Sequence, residues 1–272
     1  MLANFLQEDV GAGDITSDSI IPAGLEARAE IACKSRSAIV CGLEEASLVF
    51  DICGCNSQIL VKEGSKVGKG RAVMNVTGCA REILKAERTA LNIMMRMSGI
   101  ATETRGIVDL AKGVTILATR KTAPGLRYLD KKGVVLGGGG THRMGLDDMV
   151  LIKDNHLNIV SDIENSIRRA RKNVGSSIKI ECEARSEEEA IAAVAAEADI
   201  VMLDNFTPSQ AQETTKRLRR MCSHKKNLQI ELSGGINRKN IKYYARAKPD
   251  FISLGHITHS FKAIDFSLEI MK

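Results

Sequence analysis

The chain has no tryptophan, and aromatic residues make up only 3% of its 272 residues. Binding of single-stranded nucleic acid relies on aromatic faces for base stacking, so that class of partner is a poor fit. Long hydrophobic runs are also missing. No apolar stretch approaches the ~20 residues a helix needs to span a bilayer. The opening MLANFLQEDVGAGD lacks a basic start and an extended apolar segment, so it does not read as a signal peptide, and a cytoplasmic protein is expected. No C-x-x-C pair occurs among the seven cysteines; Cys53 and Cys55 form a CGC, and no second pair or nearby histidine completes a metal set. Reduced, mostly buried thiols are expected. A strong excess of one charge is absent too. The net charge of +6 is mild for this length, and the basic runs Lys216–Arg220 and His224–Lys226 read as a solvated helix face and its loop. Charged residues at 26% and hydrophobic residues at 44% are an ordinary globular balance, which excludes a disordered or membrane class.

The chain changes texture along its length. Glu8–Pro22 is polar and turn-rich. Glu26–Cys33 and Ala38–Cys41 read as strands, and Glu44–Cys53 as a helix with Leu48, Val49 and Ile52 on one stripe. Ser57–Gly78 alternates apolar and polar residues around glycines, as short strands and hairpins do. Ala80–Ala101 has a helical stripe of Ile83, Leu84, Leu91, Met94 and Met95. These pieces predict a first domain, 1–101, of mixed α and β structure. From residue 102 to 272 short apolar runs recur: Val114–Lys121, Gly133–Arg143, Met149–Asn155, Ile178–Glu183, Asp199–Asn205, Leu228–Gly235 and Asp250–His256. Helical stretches at Ile163–Lys172, Ser186–Ala196, Pro208–Cys222 and Asn237–Ala247 separate several of them. Strands alternating with helices predict a parallel sheet with covered faces. Seven strands suggest an α/β barrel one strand short of the usual eight.

Polar residues gather at the C-terminal ends of those runs, the ends that converge on the active-site mouth of a barrel. The early runs end in Thr119, Arg120, Lys121, His142, Arg143 and Lys153. Arginine forks and lysine point charges at such density imply a polyanionic ligand. The middle runs end in Glu181, Glu183 and Asp204, acids suited to sugar hydroxyls or to a Mg²⁺ held mainly by substrate phosphates. The last runs end in Ser233-Gly234-Gly235 and Leu254-Gly255-His256, backbone cradles where barrels commonly place a phosphate. The segment Asn237–Ala245 offers a following helix N-terminus. By position, the ligand reads as a phosphorylated sugar plus a second anionic group. The run LGGGGTHRMG does not fit a dinucleotide fingerprint. Its glycines let a strand end turn tightly, and Arg143 reads as a carboxylate clamp.

Taken in order, EDVGAGDIT, ERTALNIMMRMSGIAT, ATRKTAPGLRYLDKK, GGGGTHRMGLDDMVLIKDNH, the pair Glu183 and Asp204, LSGG and LGHITHS resemble the quinolinate phosphoribosyltransferase family over nearly the whole chain. The resemblance implies an N-terminal α/β sandwich, a C-terminal seven-stranded α/β barrel, and a homodimer or larger assembly whose active sites are shared between subunits. A C-terminal segment packing back on the N-terminal domain is also expected. It implies transfer of phosphoribosyl from phosphoribosyl pyrophosphate to quinolinate, with decarboxylation and Mg²⁺. Arg88 would then reach quinolinate across the dimer, beside Thr119, Arg120, Lys121, His142, Arg143 and Lys153. Lys121, Lys153, Glu183 and Asp204 would be the catalytic set. Glu183 and Asp204 would hold the ribose hydroxyls and, through water, the metal. Ser233, Gly234, Gly235, Leu254, Gly255, His256 and His259 would line the 5′-phosphate site.

The chain departs from that family's pattern at Thr141, at Lys132-Gly133 and at His256. It keeps LIKDNH, where a molybdenum-linked branch of the same fold departs. Three other readings stand beside this one: a barrel lyase or aldolase with Lys121 or Lys153 as a Schiff-base amine, a related phosphoribosyltransferase acting on another aromatic acid, and a nucleotide-binding regulatory barrel without turnover.

Overall fold

The computed structural model describes residues 1–160, 162–222 and 228–271; His224–Lys226 of the second basic run lie outside the described residues. In chain order the elements are α1 (Leu2–Val10), α2 (Ile15–Ile20), β1 (Glu26–Cys33), β2 (Ala38–Ile39), α3 (Leu43–Ile52), β3 (Asn56–Ile59), β4 (Lys66–Val67), β5 (Ala72–Cys79) and α4 (Ala80–Val108). Then come β6 (Thr115–Ala118), α5 (Arg127–Leu136), β7 (Gly140–Thr141), β8 (Val150–Ile152), α6 (Asp154–Val160), α7 (Ile163–Val174), β9 (Ile180–Ala184) and α8 (Glu187–Ala195). The chain ends with β10 (Ile200–Asp204), α9 (Pro208–Met221), β11 (Gln229–Ser233), α10 (Ile241–Ala245), β12 (Phe251–Leu254), α11 (His256–His259) and β13 (Phe266–Met271).

Two compact units emerge. One comprises Met1–Arg105, Tyr128–Gly138 and Ser260–Lys272; the other comprises Gly106–Arg127 and Gly139–His259. The first unit takes in Tyr128–Gly138, which the range 1–101 leaves out, and the C-terminal segment, which was expected to pack back on it.

The first unit holds an antiparallel sheet in the order β13-β1-β5-β3. The last strand pairs with the first: Arg28 lies opposite Met271 and Cys33 opposite Phe266. Ile31, Met74, Val76, Val49 and Phe50 are fully buried. On α3 the buried stripe is Leu43, Ala46, Val49 and Phe50, whereas Leu48 and Ile52 are half exposed, so the predicted stripe is shifted. Glu63 caps this helix: its carboxylate accepts N–H bonds from Gly42, Leu43 and Glu44, three donors that a helix start leaves orphaned. Buried Ser98 on α4 satisfies both backbone groups of Cys41, at 2.9 and 3.0 Å. α4 itself runs 29 residues, seven beyond the predicted end at Ala101.

The run Gly133–Leu136 was expected as a strand and is instead the end of α5. Val134 is buried and Val135 half exposed, and Gly133 presses against α4, where a Cβ would lie 3.0 Å from the Met97 carbonyl. The glycines after it have separate duties. A Cβ on Gly137 would meet the Ala101 carbonyl at 2.6 Å, and Gly138 takes a left-handed φ of 93°. Only Gly140–Thr141 remain as the strand β7.

The second unit is a seven-stranded, all-parallel sheet of barrel type, in the order β7-β6-β12-β11-β10-β9-β8. Its hydrogen-bonded ladder stops at β7 on one side and β8 on the other, which leaves a seam. Helix starts here follow from local chemistry. Asp162 and Ser186 accept the third backbone N–H of α7 and α8, and Thr207 with Gln210 forms a capping box on α9, ahead of Pro208 at the first turn. The basic run on α9 is solvent-facing as expected, with Arg217 paired to Glu187 and Arg219 to Asp250. All seven cysteines are free thiols, four of them (Cys33, Cys41, Cys182 and Cys222) buried along with Cys55. Among the described residues no helix is long and apolar enough to cross a membrane.

Candidate active site

The C-terminal ends of the parallel strands surround one cavity of about 890 Å³. Strand geometry explains the convergence: residues two apart on a strand share a face, so Glu181 and Glu183 of β9 both turn inward and both are buried. Apart from Glu181, every strand-end residue that the sequence singles out, from Thr119 to His259, lines this cavity. Arg88 does not. It sits on α4 in the other unit, half exposed and 3.6 Å from Glu87.

Cations occupy one side. Arg120 has a buried Nε without a hydrogen-bond partner. Burial, then the like charge of Arg120, lowers the pKa of the Arg143 guanidinium from its usual value. Two guanidiniums facing one cavity in this way call for a bound anion. Arg143 is braced by the Met149 carbonyl at 3.3 Å. Lys153 is ion-paired to buried Glu183 at 2.7 Å, and Lys121 is exposed, its Cδ only 2.8 Å from where a Cβ on Gly255 would lie. Neither lysine stands alone in the apolar pocket that lowers a Schiff-base amine's pKa.

Acids and glycines occupy the other side. The Asp204 carboxylate is fixed by Asn205 Nδ2 at 2.6 Å, and Asn205 itself holds a left-handed φ of 59°. Ser233, Gly234 and Gly235 turn directly above β11. A Cβ on Gly234 would lie 2.6 Å from the Asn205 backbone nitrogen, and its φ is 87°, so only glycine fits. The expected helix N-terminus behind this turn does not reach the cavity. Asn237 and Asn240 are spent on the Gly235 carbonyl, and α10 begins only at Ile241.

Beneath the mouth lies a buried group that the strand-end pattern did not reveal. His142 Nε2 is 2.9 Å from Glu181 and 3.7 Å from Glu231, and both glutamates are fully buried. His142 Nδ1 accepts the backbone N–H of Arg143 at 2.8 Å. A nitrogen that accepts carries no proton, so Nε2 bears it and donates to Glu181. The histidine is therefore neutral and turned inward, which revises its expected place beside the cations. Its tautomer also settles a question of composition. The three side chains place potential metal ligands within 4.8 Å of one another, yet a histidine ligating through Nε2 needs its proton on Nδ1, where here a donor already points. Burial pushes both carboxyls up to about 8. Glu181 receives the histidine N–H, while neither oxygen of Glu231 has a hydrogen-bond partner. An ionised carboxylate cannot be buried so cheaply, so Glu231 carries the proton.

Sequence reasoning also missed Arg185, which lines the cavity, pairs with Asp154 and stands 4.0 Å from Glu183. Its position one residue past the end of β9 was the available signal.

A barrel-type sheet whose mouth separates cations from acids and glycine turns defines an α/β-barrel site for a ligand with two distinct anionic parts. Residues 14–98 match the N-terminal domain of quinolinate phosphoribosyl transferase, and residues 100–269 match its C-terminal domain. The chain belongs to the quinolinate phosphoribosyl transferase family. It is 44% identical to a probable carboxylating nicotinate-nucleotide pyrophosphorylase of Methanocaldococcus jannaschii, over 100% of this chain and 96% of that protein. The protein of the same description from Methanothermobacter thermautotrophicus is 40% identical, over 99% of this chain and 98% of its own length. The solved nicotinate-nucleotide pyrophosphorylase of Francisella tularensis superposes with a TM-score of 0.92 at 35% identity, covering 99% of this chain and 94% of that one.

Proposed function

We propose that this chain transfers the phosphoribosyl group of phosphoribosyl pyrophosphate to the ring nitrogen of quinolinate. The 2-carboxylate leaves as CO2, and nicotinate mononucleotide and pyrophosphate are the products, a step of NAD biosynthesis. One observation carries the reading: a single cavity holds Arg120, Arg143 and Lys153 on one side and Glu183, Asp204 and the Ser233–Gly235 turn on the other. The names of its relatives support it. The free thiols fit a reducing, cytoplasmic compartment.

The residues divide the work. Thr119, Arg120, Lys121 and Arg143 grip the two quinolinate carboxylates, with Arg forks in bidentate contact. Lys153, released from Glu183 as the anion arrives, holds charge near the ring. Glu183 and Asp204 hold the ribose hydroxyls and stabilise the positive charge that grows at the sugar carbon. Backbone N–H groups of Gly234, Gly235 and Gly255 cradle the 5′-phosphate, with His256 and His259 beside them. Glu183 and Asp204 are hard oxygen donors, one tied to a lysine and one fixed by Asn205, which fits a Mg²⁺ that keeps most of its waters. Bound there, the ion would neutralise the departing pyrophosphate. Displacement of pyrophosphate needs placement and charge stabilisation more than a strong base. Arg88 completes the site from a second copy of the chain in a homodimer or larger assembly.

The test is to supply quinolinate, phosphoribosyl pyrophosphate and Mg²⁺ and to follow nicotinate mononucleotide and CO2. Both are expected; nicotinate accepted in place of quinolinate, without CO2, would overturn the assignment.

A further inference from the structure

The proposed reaction leaves one atom unaccounted for. When the bond from ring carbon 2 to its carboxylate breaks, the electron pair stays on the carbon and CO2 departs. That carbon must then take a proton to become the C–H of the product. Of the cations at the mouth, Arg120 and Arg143 are guanidiniums that keep their protons, and in the proposed reaction Lys121 and Lys153 are spent on holding the ligand's negative charge.

Glu231 is built differently from the other acids. It sits in mid-strand on β11, fully buried, with both oxygens lacking a hydrogen-bond partner. It nonetheless lines two cavities. One is the mouth. The other, of about 300 Å³, is lined by Leu117, Ile200 and Phe251 of the strands and by exposed Thr141, Asp148, Ser177 and Lys179. A buried side chain that borders the ligand site on one side and a second cavity on the other can take a proton from water held in that cavity and hand it to a ligand. Burial first, then the Glu181 carboxylate, raises its pKa; Lys153 acts the other way, and the neutral His142 and Ser253 of β12 face it. His142 cannot take the role itself, since its one N–H is committed to Glu181 and its other nitrogen accepts from Arg143.

We propose that Glu231 is the acid that protonates ring carbon 2 after decarboxylation and is reprotonated by water entering through the second cavity that it lines. One C–C bond breaks and one C–H bond forms; the proton lost by Glu231 returns from solvent, and no oxidant or reductant is involved. This inference rests on the proposed function.

Glu231→Gln keeps size and polarity but holds no exchangeable acid. In the assay with quinolinate, phosphoribosyl pyrophosphate and Mg²⁺, kcat should fall about 100-fold, with both KM values within about threefold of wild type. The pH profile adds a readout that a structural role would not move. Wild-type kcat should decline as pH rises through about 8, where Glu231 loses its proton, and that alkaline limb should be missing from the variant. Single-turnover formation of nicotinate mononucleotide by the wild-type enzyme should slow at least about twofold in D2O, because the proton that completes this product comes from an acid that exchanges with solvent; this measurement holds even if Glu231→Gln does not fold. A variant with kcat within about twofold of wild type, or a D2O effect of one, overturns the inference while leaving the proposed function intact. A wild-type enzyme that makes no nicotinate mononucleotide overturns both.

Discussion

Gly234 shows how far a single residue can be pressed by its site. Its left-handed φ and the Asn205 backbone against it leave no room for a Cβ. Gly234→Ala therefore has to open the Ser233–Gly235 turn and displace Asn205, which fixes Asp204. The expected result is a rise in KM for phosphoribosyl pyrophosphate of about tenfold or more, equivalent to about 1.4 kcal/mol of lost binding, with the KM for quinolinate changed far less. Equal changes in both would place the turn elsewhere in the reaction. This glycine was legible in the sequence as part of an SGG at a strand end. The state of His142 was not, because its tautomer depends on Glu181 from a different strand and on the backbone of its own neighbour. Arg143 was legible as an anion clamp from its position alone, yet its crowding by Arg120 appears only when two strands 20-odd residues apart are brought side by side.

At the scale of elements, the cap on α3 is a loop carboxylate rather than the usual residue at the helix start. Gly42 occupies that position with φ 88° and has no side chain to offer, so Glu63 supplies the acceptor from twenty residues away. Glu63→Ala should cost about 1–2 kcal/mol in chemical denaturation, the usual value of an N-cap, while kcat stays within about twofold. Retained stability would mean that the orphaned N–H groups find water instead. No local pattern could have announced this cap. The same holds for α5, where Gly-Val-Val-Leu followed by glycines is too short for periodicity to separate strand from helix. What decides it is Gly133 and Gly137, whose missing side chains let α5 and the turn after it lie directly against the α4 backbone. By contrast the strands β8 to β12 were legible, because buried parallel strands read as continuous apolar runs and their polar ends mark direction.

For the whole molecule, the sequence showed the two kinds of architecture but not how the chain is shared between them. The strand β13 completes the first unit's sheet by pairing with β1 from the opposite end of the chain, a contact without a local signature. The place of Arg88 raises the same issue one level higher. It lies half exposed on α4, in the first unit, and the proposed function has it serve a second copy. Mixing inactive Arg88→Ala with inactive Lys121→Ala protein should restore part of the activity, because mixed dimers of the proposed kind would contain one site with both residues intact. No recovery after subunit exchange would assign Arg88 to its own chain. The central claim is the coupling of phosphoribosyl transfer to decarboxylation in the cavity above β6 to β12. The most direct measurement uses quinolinate labelled in its 2-carboxylate and counts labelled CO2, pyrophosphate and nicotinate mononucleotide in the same reaction. The account predicts equal amounts of the three; pyrophosphate released without CO2, or label retained in the nucleotide, would contradict it.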